Sequence, residues 1–206
     1  MTVEAVIYKY GVGNVYSVKS GLEKAGARAR IVESLRDIPS MDLLILPGVG
    51  SMPAAMARLE KDLDRIMRHI DSGRPVMGIC LGLQLMYEAS TEFGVTKGLG
   101  LLEGIVDKMP VKPLPHIGWS QVERVRGSAL LEGLPDRFYA YYVHSYASME
   151  TGKPWVKAIT RLGDIEFTAV VEKPPVYGTQ FHPERSGANG LRVLRNLVEI
   201  AGGRSG

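Results

Sequence analysis

Apolar positions along the chain follow two regimes. Up to about residue 94, short apolar runs alternate with stretches whose apolar residues recur every three or four positions. Val3 to Tyr8 is a run closed off by Gly11 and predicts a strand. Asn14 is placed to cap a helix running to Ala25, with Val15, Val18, Leu22 and Ala25 on one face and Gly26 as its stop. Arg28 to Glu33 predicts a second strand. Asp42 to Leu46 predicts a third, apolar enough to be covered on both faces. Pro53 to Ile70 predicts a long helix with proline in its first turn. Pro75 to Ile79 predicts a strand, and Leu81 to Ala89 a helix. Strands alternating with helices imply right-handed crossovers and a mainly parallel sheet.

Beyond Gly94 the spacing shortens. Ile105 to Met109, Ser120 to Val125, Phe138 to Tyr146, Val156 to Thr160, Phe167 to Val171 and Val176 to Phe181 are strand-length runs separated by Gly and Pro. They predict antiparallel strands added at one edge of the same sheet. A final helix is expected from about Asn189 to Ala201. No repeat, low-complexity tract or linker interrupts the chain. The expected fold class is therefore α/β, a central mainly parallel sheet flanked by helices, in one domain over residues 1–206.

Composition narrows the function more than the fold. With 206 residues there is enough chain for a sizeable core. A net charge of +3, spread along the chain, gives no footprint for nucleic acid. No run approaches the ~18 apolar residues of a membrane span. The N-terminus carries Glu4 where a signal peptide would be basic, so a cytoplasmic location is expected. A single cysteine excludes an internal disulfide and a cysteine-based metal site. The four histidines, His69, His116, His144 and His182, lack chelating spacing, so neither a metal nor a cofactor is expected. His69, between Arg68 and Ile70 on the long helix, is expected at the surface.

The cysteine itself is ambiguous in isolation, because free cysteine is commonly a buried apolar filler. Its neighbours change the odds. In Gly78-Ile79-Cys80-Leu81-Gly82 a strand enters Cys80 and a helix leaves it, the context of a nucleophile elbow. Glycines on both sides suit a strained nucleophile whose neighbours would otherwise collide. The Leu81 N–H would point to the same spot and suit an oxyanion. A nucleophile needs a base and an orienter. His182 follows a predicted strand, and Glu184 stands two residues on across the stiffening Pro183. Pro47-Gly48-Val49-Gly50 ends the third strand on the same sheet edge and reads either as a plain turn or as a loop donating N–H groups to a ligand. Gly11-Val12-Gly13, with Glu33 downstream, imitates a dinucleotide fingerprint, but Tyr16 occupies the third glycine position, which argues against a nucleotide site.

Cys80 with Gln84 four residues later, followed by His182-Pro183-Glu184, resembles the class I (triad-type) glutamine amidotransferases. Tyr10-Gly11-Val12-Gly13-Asn14, Pro47 to Gly50, Pro115 to Trp119 and Tyr142 to Tyr146 narrow the likeness to the glutaminase subunits of imidazole glycerol phosphate synthases, over essentially the whole chain. The resemblance implies a flavodoxin-like fold and a Cys80–His182–Glu184 triad that hydrolyses L-glutamine through a glutamyl thioester. It implies an oxyanion hole from the backbone of Val49 and Leu81, and glutamine held by Gly48, Gly50, Gln84, Ser145 and Tyr146. It also implies a partner: a (β/α)₈ cyclase subunit in a heterodimer. The cyclase uses the ammonia to make imidazole glycerol phosphate and aminoimidazole carboxamide ribotide in histidine biosynthesis. Asn14, His116, Trp119, Tyr141 and Arg185 fall where that family meets its partner. Against the family pattern, Lys9, Ser120 and Arg185 stand where Asp, Asn and Lys are usual.

Overall fold

The computed structural model describes residues 2–11, 13–36, 38 and 40–203. Five strands lie parallel at its centre: β1 (Glu4–Tyr8), β2 (Arg28–Val32), β3 (Leu43–Leu46), β4 (Val76–Ile79) and β13 (Val176–Thr179), in the order β2-β1-β3-β4-β13. Beyond β13 the sheet continues antiparallel through β12 (Ile165–Lys173), β11 (Val156–Leu162), β8 (His116–Arg124) and β9 (Arg137–His144), nine strands in all.

Alternation along the central strands sends side chains to two covers. Ala5, Ile7, Leu43 and Ile45 pack with Val15, Val18 and Leu22 of α1 (Val15–Lys24) and Val193, Leu194 and Leu197 of α5 (Gly187–Ala201). Val6, Tyr8, Leu44 and Leu46 pack with Met52, Ala55 and Leu59 of α2 (Met52–Leu59) and Ile66 and Ile70 of α3 (Leu63–Asp71). The strand ends therefore converge at one edge of a doubly covered sheet, where ligands bind in folds of this kind.

Four expectations need correction. The helix foreseen over Pro53–Ile70 is divided into α2 and α3 by a 3₁₀ turn, Glu60–Asp62. The turn brings Asp62 inward, where its carboxylate accepts hydrogen bonds from the Tyr8 hydroxyl at 2.7 Å and Ser34 at 3.4 Å. The helix foreseen over Leu81–Ala89 stops after one turn, α4 (Leu81–Gln84), and Tyr87–Ser90 becomes strand β5. β5 pairs with β6 (Thr96–Lys97) and β7 (Leu102–Lys108), and β7 with β10 (Tyr146–Ala147). These strands form a second, four-stranded sheet, so only part of the C-terminal half extends the main one. His69 is buried, not at the surface: its Nε2 lies 2.9 Å from the Pro75 carbonyl, and burial lowers its pKa.

Candidate functional site

Cys80 sits where β4 gives way to α4, with φ 54° and ψ −107°. Few non-glycine residues adopt a positive φ, and such strain is a common property of functional turns. The turn exists because the flanking glycines let backbones touch. A β-carbon on Gly78 would meet the Gly82 carbonyl at 2.4 Å. Behind the turn, a β-carbon on Gly48 would lie 2.7 Å from the buried Tyr10 hydroxyl and 3.0 Å from the Leu81 side chain. The Leu81 N–H opens a helix and so has no acceptor within it.

Strand register brings the remaining groups to the sulfur. Ile79 pairs with Thr179, and the Cys80 N–H donates to the Thr179 carbonyl at 2.8 Å, so the residues leaving β13 run beside the elbow. His182 is buried, with its Nδ1 at 2.8 Å from Glu184 Oε1. This contact fixes the tautomer: Nδ1–H donates to the carboxylate and Nε2 is left for Cys80. Nε2 is buried without a well-formed hydrogen bond, yet the sulfur lies within electrostatic reach. Burial alone would lower the imidazole pKa; the sulfur and the Glu184 carboxylate together outweigh burial and raise it. Ser186 holds the same loop from beneath. Its hydroxyl donates to the His182 carbonyl at 2.6 Å and accepts the Tyr141 N–H at 3.0 Å, while the His182 N–H donates to the Tyr141 carbonyl at 2.9 Å.

A cavity of about 270 Å³ opens over Cys80. Val49, Gly50 and Leu81 line one side of it, and Gln84, Ser145 and Tyr146 the other. Neither Gly48 nor His182 is part of the lining. Gln84 is buried, and its Nε2 donates to the Tyr146 carbonyl at 2.8 Å and to Gln180 Oε1 at 3.2 Å. Its Oε1 is thus the amide atom left for an occupant. Sequence reasoning misses two residues at the site. Glu92 lines the cavity and accepts the Met52 N–H at 2.8 Å, which places a carboxylate at its rim. Gln180 is 1% exposed and donates to Cys80 Sγ at 3.5 Å. Period-two alternation with His182 is the available signal for Gln180. For Glu92 there is none. A larger cleft of about 730 Å³ lies between residues 110–117 and the β11–β12 turn, but no cysteine, serine or threonine lines it. The smaller cavity is the one that Cys80 lines.

The remaining expected residues occupy the surface beside the site. Trp119 and Tyr141 are register partners on β8 and β9, with rings 6.2 Å apart, and the Arg185 guanidinium covers the Tyr141 ring at 4.2 Å. Ile117, Trp119 and Tyr139 are exposed beside them. His116 faces the other way, packing on His144 and Tyr142 and hydrogen-bonding Ser120 at 3.1 Å. Asn14 caps α1 by accepting the Ser17 N–H at 3.3 Å. The dinucleotide imitation dissolves on two observations. Glu33 is paired with Lys9 at 2.7 Å, and Tyr16 projects into solvent. Val12 lies outside the described residues. Among the described residues no acidic, cysteine and histidine group is arranged to hold a metal, and no helix is long and apolar enough to cross a membrane.

Comparison with known proteins agrees with this geometry. Residues 6–200 match the family model for class-I glutamine amidotransferases. The imidazole glycerol phosphate synthase subunit HisH of Methanothermobacter thermautotrophicus is 43% identical over 195 residues, covering 94% of this chain and 97% of the relative. The HisH subunit of Sulfolobus acidocaldarius is 42% identical over 199 residues, covering 95% and 97%. Among solved structures, PurLQS from Thermotoga maritima superimposes with a TM-score of 0.77 at 21% identity, covering 97% of this chain and 99% of that one. The crystal structure of a glutamine amidotransferase gives 0.75 at 22%, covering 96% and 98%. At such identities the structural likeness speaks for the fold.

Proposed function

This chain belongs to the class I glutamine amidotransferases and, among them, to the HisH subunits of imidazole glycerol phosphate synthase, and from that premise we propose how its own residues divide the work. Cys80 Sγ attacks the carboxamide carbon of L-glutamine in the cavity. The developing oxyanion is met by the Leu81 N–H and by an N–H of the Val49 segment. His182 Nε2, having taken the Cys80 thiol proton, delivers it to the departing ammonia, leaving a glutamyl thioester on Cys80. The same nitrogen then takes a proton from water as the water attacks, which releases glutamate and the free thiol. Glu184 touches no substrate. It keeps the imidazole oriented and stabilises its protonated form. Gln84, Gly50, Ser145, Tyr146 and the Glu92 carboxylate surround the amino acid end of glutamine, Glu92 facing its ammonium group.

The single observation carrying this reading is His182 buried between the Glu184 carboxylate at 2.8 Å and the thiol of a strained elbow. The acceptor chemistry has no place within these 206 residues, because a (β/α)₈ catalytic domain takes about 250 on its own. The partner we propose is a (β/α)₈ cyclase, bound as a heterodimer over the Trp119–Tyr141–Arg185 surface, in histidine biosynthesis. The deciding experiment measures glutamate and ammonia release with and without the cyclase and its ligand. Activity should rise strongly on addition and vanish in Cys80→Ala. A lone chain already at full rate would count against the coupling, and activity surviving in Cys80→Ala would remove the triad.

A further inference from the structure

The two buried glutamines at the site form a directed chain that ends on the sulfur. The Tyr146 carbonyl can only accept, so the group facing it at 2.8 Å is the Gln84 amide NH₂. The same NH₂ lies 3.2 Å from the Gln180 side chain, which must therefore present its oxygen. That leaves the Gln180 NH₂ for its remaining neighbour, Cys80 Sγ, at 3.5 Å. The backbone carbonyl thus sets the sense of both amides, with no freedom to flip either one alone.

We propose that Gln180 is a positioning residue that holds the Cys80 sulfur as a hydrogen-bond acceptor, with its donor group aimed by Gln84. The thiol form has an outlet of its own, the Val143 carbonyl at 3.8 Å. An N–H directed at sulfur favours the anion over the thiol, because an anion accepts more strongly. Gln180 is 1% exposed, so water does not compete for its amide. The nucleophile and the residue expected to hold the substrate are thereby mechanically joined: whatever displaces Gln84 also moves the donor on the sulfur. This inference rests on Cys80 being the nucleophile, and its test does not use glutamine.

The test is the rate of Cys80 alkylation by iodoacetamide, followed against pH by mass spectrometry on the full chain, with melting curves as the folding control. Gln180→Met is expected to slow alkylation about tenfold near neutral pH and to move the midpoint of the profile to higher pH. Gln84→Met leaves the Gln180 donor in place but unaimed, and is expected to shift the midpoint the same way by less. The double variant is expected to match Gln180→Met alone. A Gln180→Met profile lying on that of the unaltered chain overturns the proposal, as does strict addition of the two shifts. Should Gln180→Met fail to fold, Gln84→Met decides alone, and an unmoved midpoint is fatal. Failure of the nucleophile reading has a separate signature: a glutamine-like diazoketone that leaves Cys80 unlabelled while the partner is present.

Discussion

Gly82 passes so close to Leu46 that a β-carbon on it would lie 1.6 Å from the Leu46 carbonyl oxygen. The contact locks the first turn of α4 against the end of β3 and so fixes the direction in which the elbow points. Gly82→Ala cannot be relieved by a side-chain rotation, because the obstacle is backbone. It should cost about 2–3 kcal/mol, seen as a melting temperature lower by roughly 5–10 °C. Glutaminase activity should fall even where the variant remains folded. An unchanged melting curve would contradict the packing described.

The His182–Glu184 pair gives a pH signature. The His182 pKa is raised in the folded chain, so the pair contributes stability that is complete below the unfolded value near 6.5 and is lost as pH rises through the raised folded value. Glu184→Gln removes one of the raising contributions. The melting difference between the unaltered chain and Glu184→Gln should be largest below pH 6.5 and narrow in alkaline buffer. The NMR titration midpoint of His182 should fall in the variant, and kcat should drop by about 10²–10⁴.

His144 has the opposite sign. Burial is the main cause holding its pKa down at about 4, and nearby His116 and His182 add to it, although its ring donates to the Tyr146 carbonyl at 2.9 Å. A histidine lowered on folding is neutral inside and takes its proton only on unfolding. Its contribution is complete above pH 6.5 and is lost as pH falls toward about 4. Denaturant unfolding across that window should show His144→Asn losing less stability than the unaltered chain, by up to about 3 kcal/mol. Parallel acid limbs would refute this.

Ser186 closes a ring of three hydrogen bonds around the backbone of Tyr141 and His182. Ser186→Ala leaves the Tyr141 N–H without its acceptor and the His182 carbonyl with only the Arg185 N–H, at 3.1 Å. Stability should fall by about 1–3 kcal/mol. Because the imidazole is misplaced rather than removed, kcat should fall by about ten- to a hundredfold while KM for glutamine stays level. A rise in KM alone would place Ser186 in binding instead.

What can be read from the chain alone follows a physical line. The elbow around Cys80 is legible because its glycines, strand and helix are neighbours in sequence. So are His182 and Glu184, two residues apart across a proline. The parallel half of the sheet is legible because Leu43–Leu46 and Val76–Ile79 are short buried runs bounded by turn residues. Residues 81–90 mislead because their apolar positions, Leu81, Leu83, Leu85, Met86, Tyr87 and Ala89, fit a helical face and a strand alternation about equally over so short a stretch; the second half pairs with β7 instead of turning. Asp62 breaks a helix for the sake of Tyr8, 54 residues away. Gln180 meets Cys80 across 100 residues and Glu92 meets Met52 across 40; alternation with His182 is the one local mark of the first, and the second leaves none.

The Ile79–Thr179 register has one more consequence. Cys80 and His182 leave adjacent strands just beyond a shared backbone ladder, so their separation is set by the spacing of the sheet. It does not drift when side chains elsewhere are exchanged. Lys9, Ser120 and Arg185, the three positions expected to depart from the family pattern, all lie off those rungs: Lys9 is occupied with Glu33, Ser120 with His116 and Arg185 with Tyr141. The outer surface of such a chain is free to be re-cut for a different partner while the Cys80–His182 spacing stays as the ladder set it.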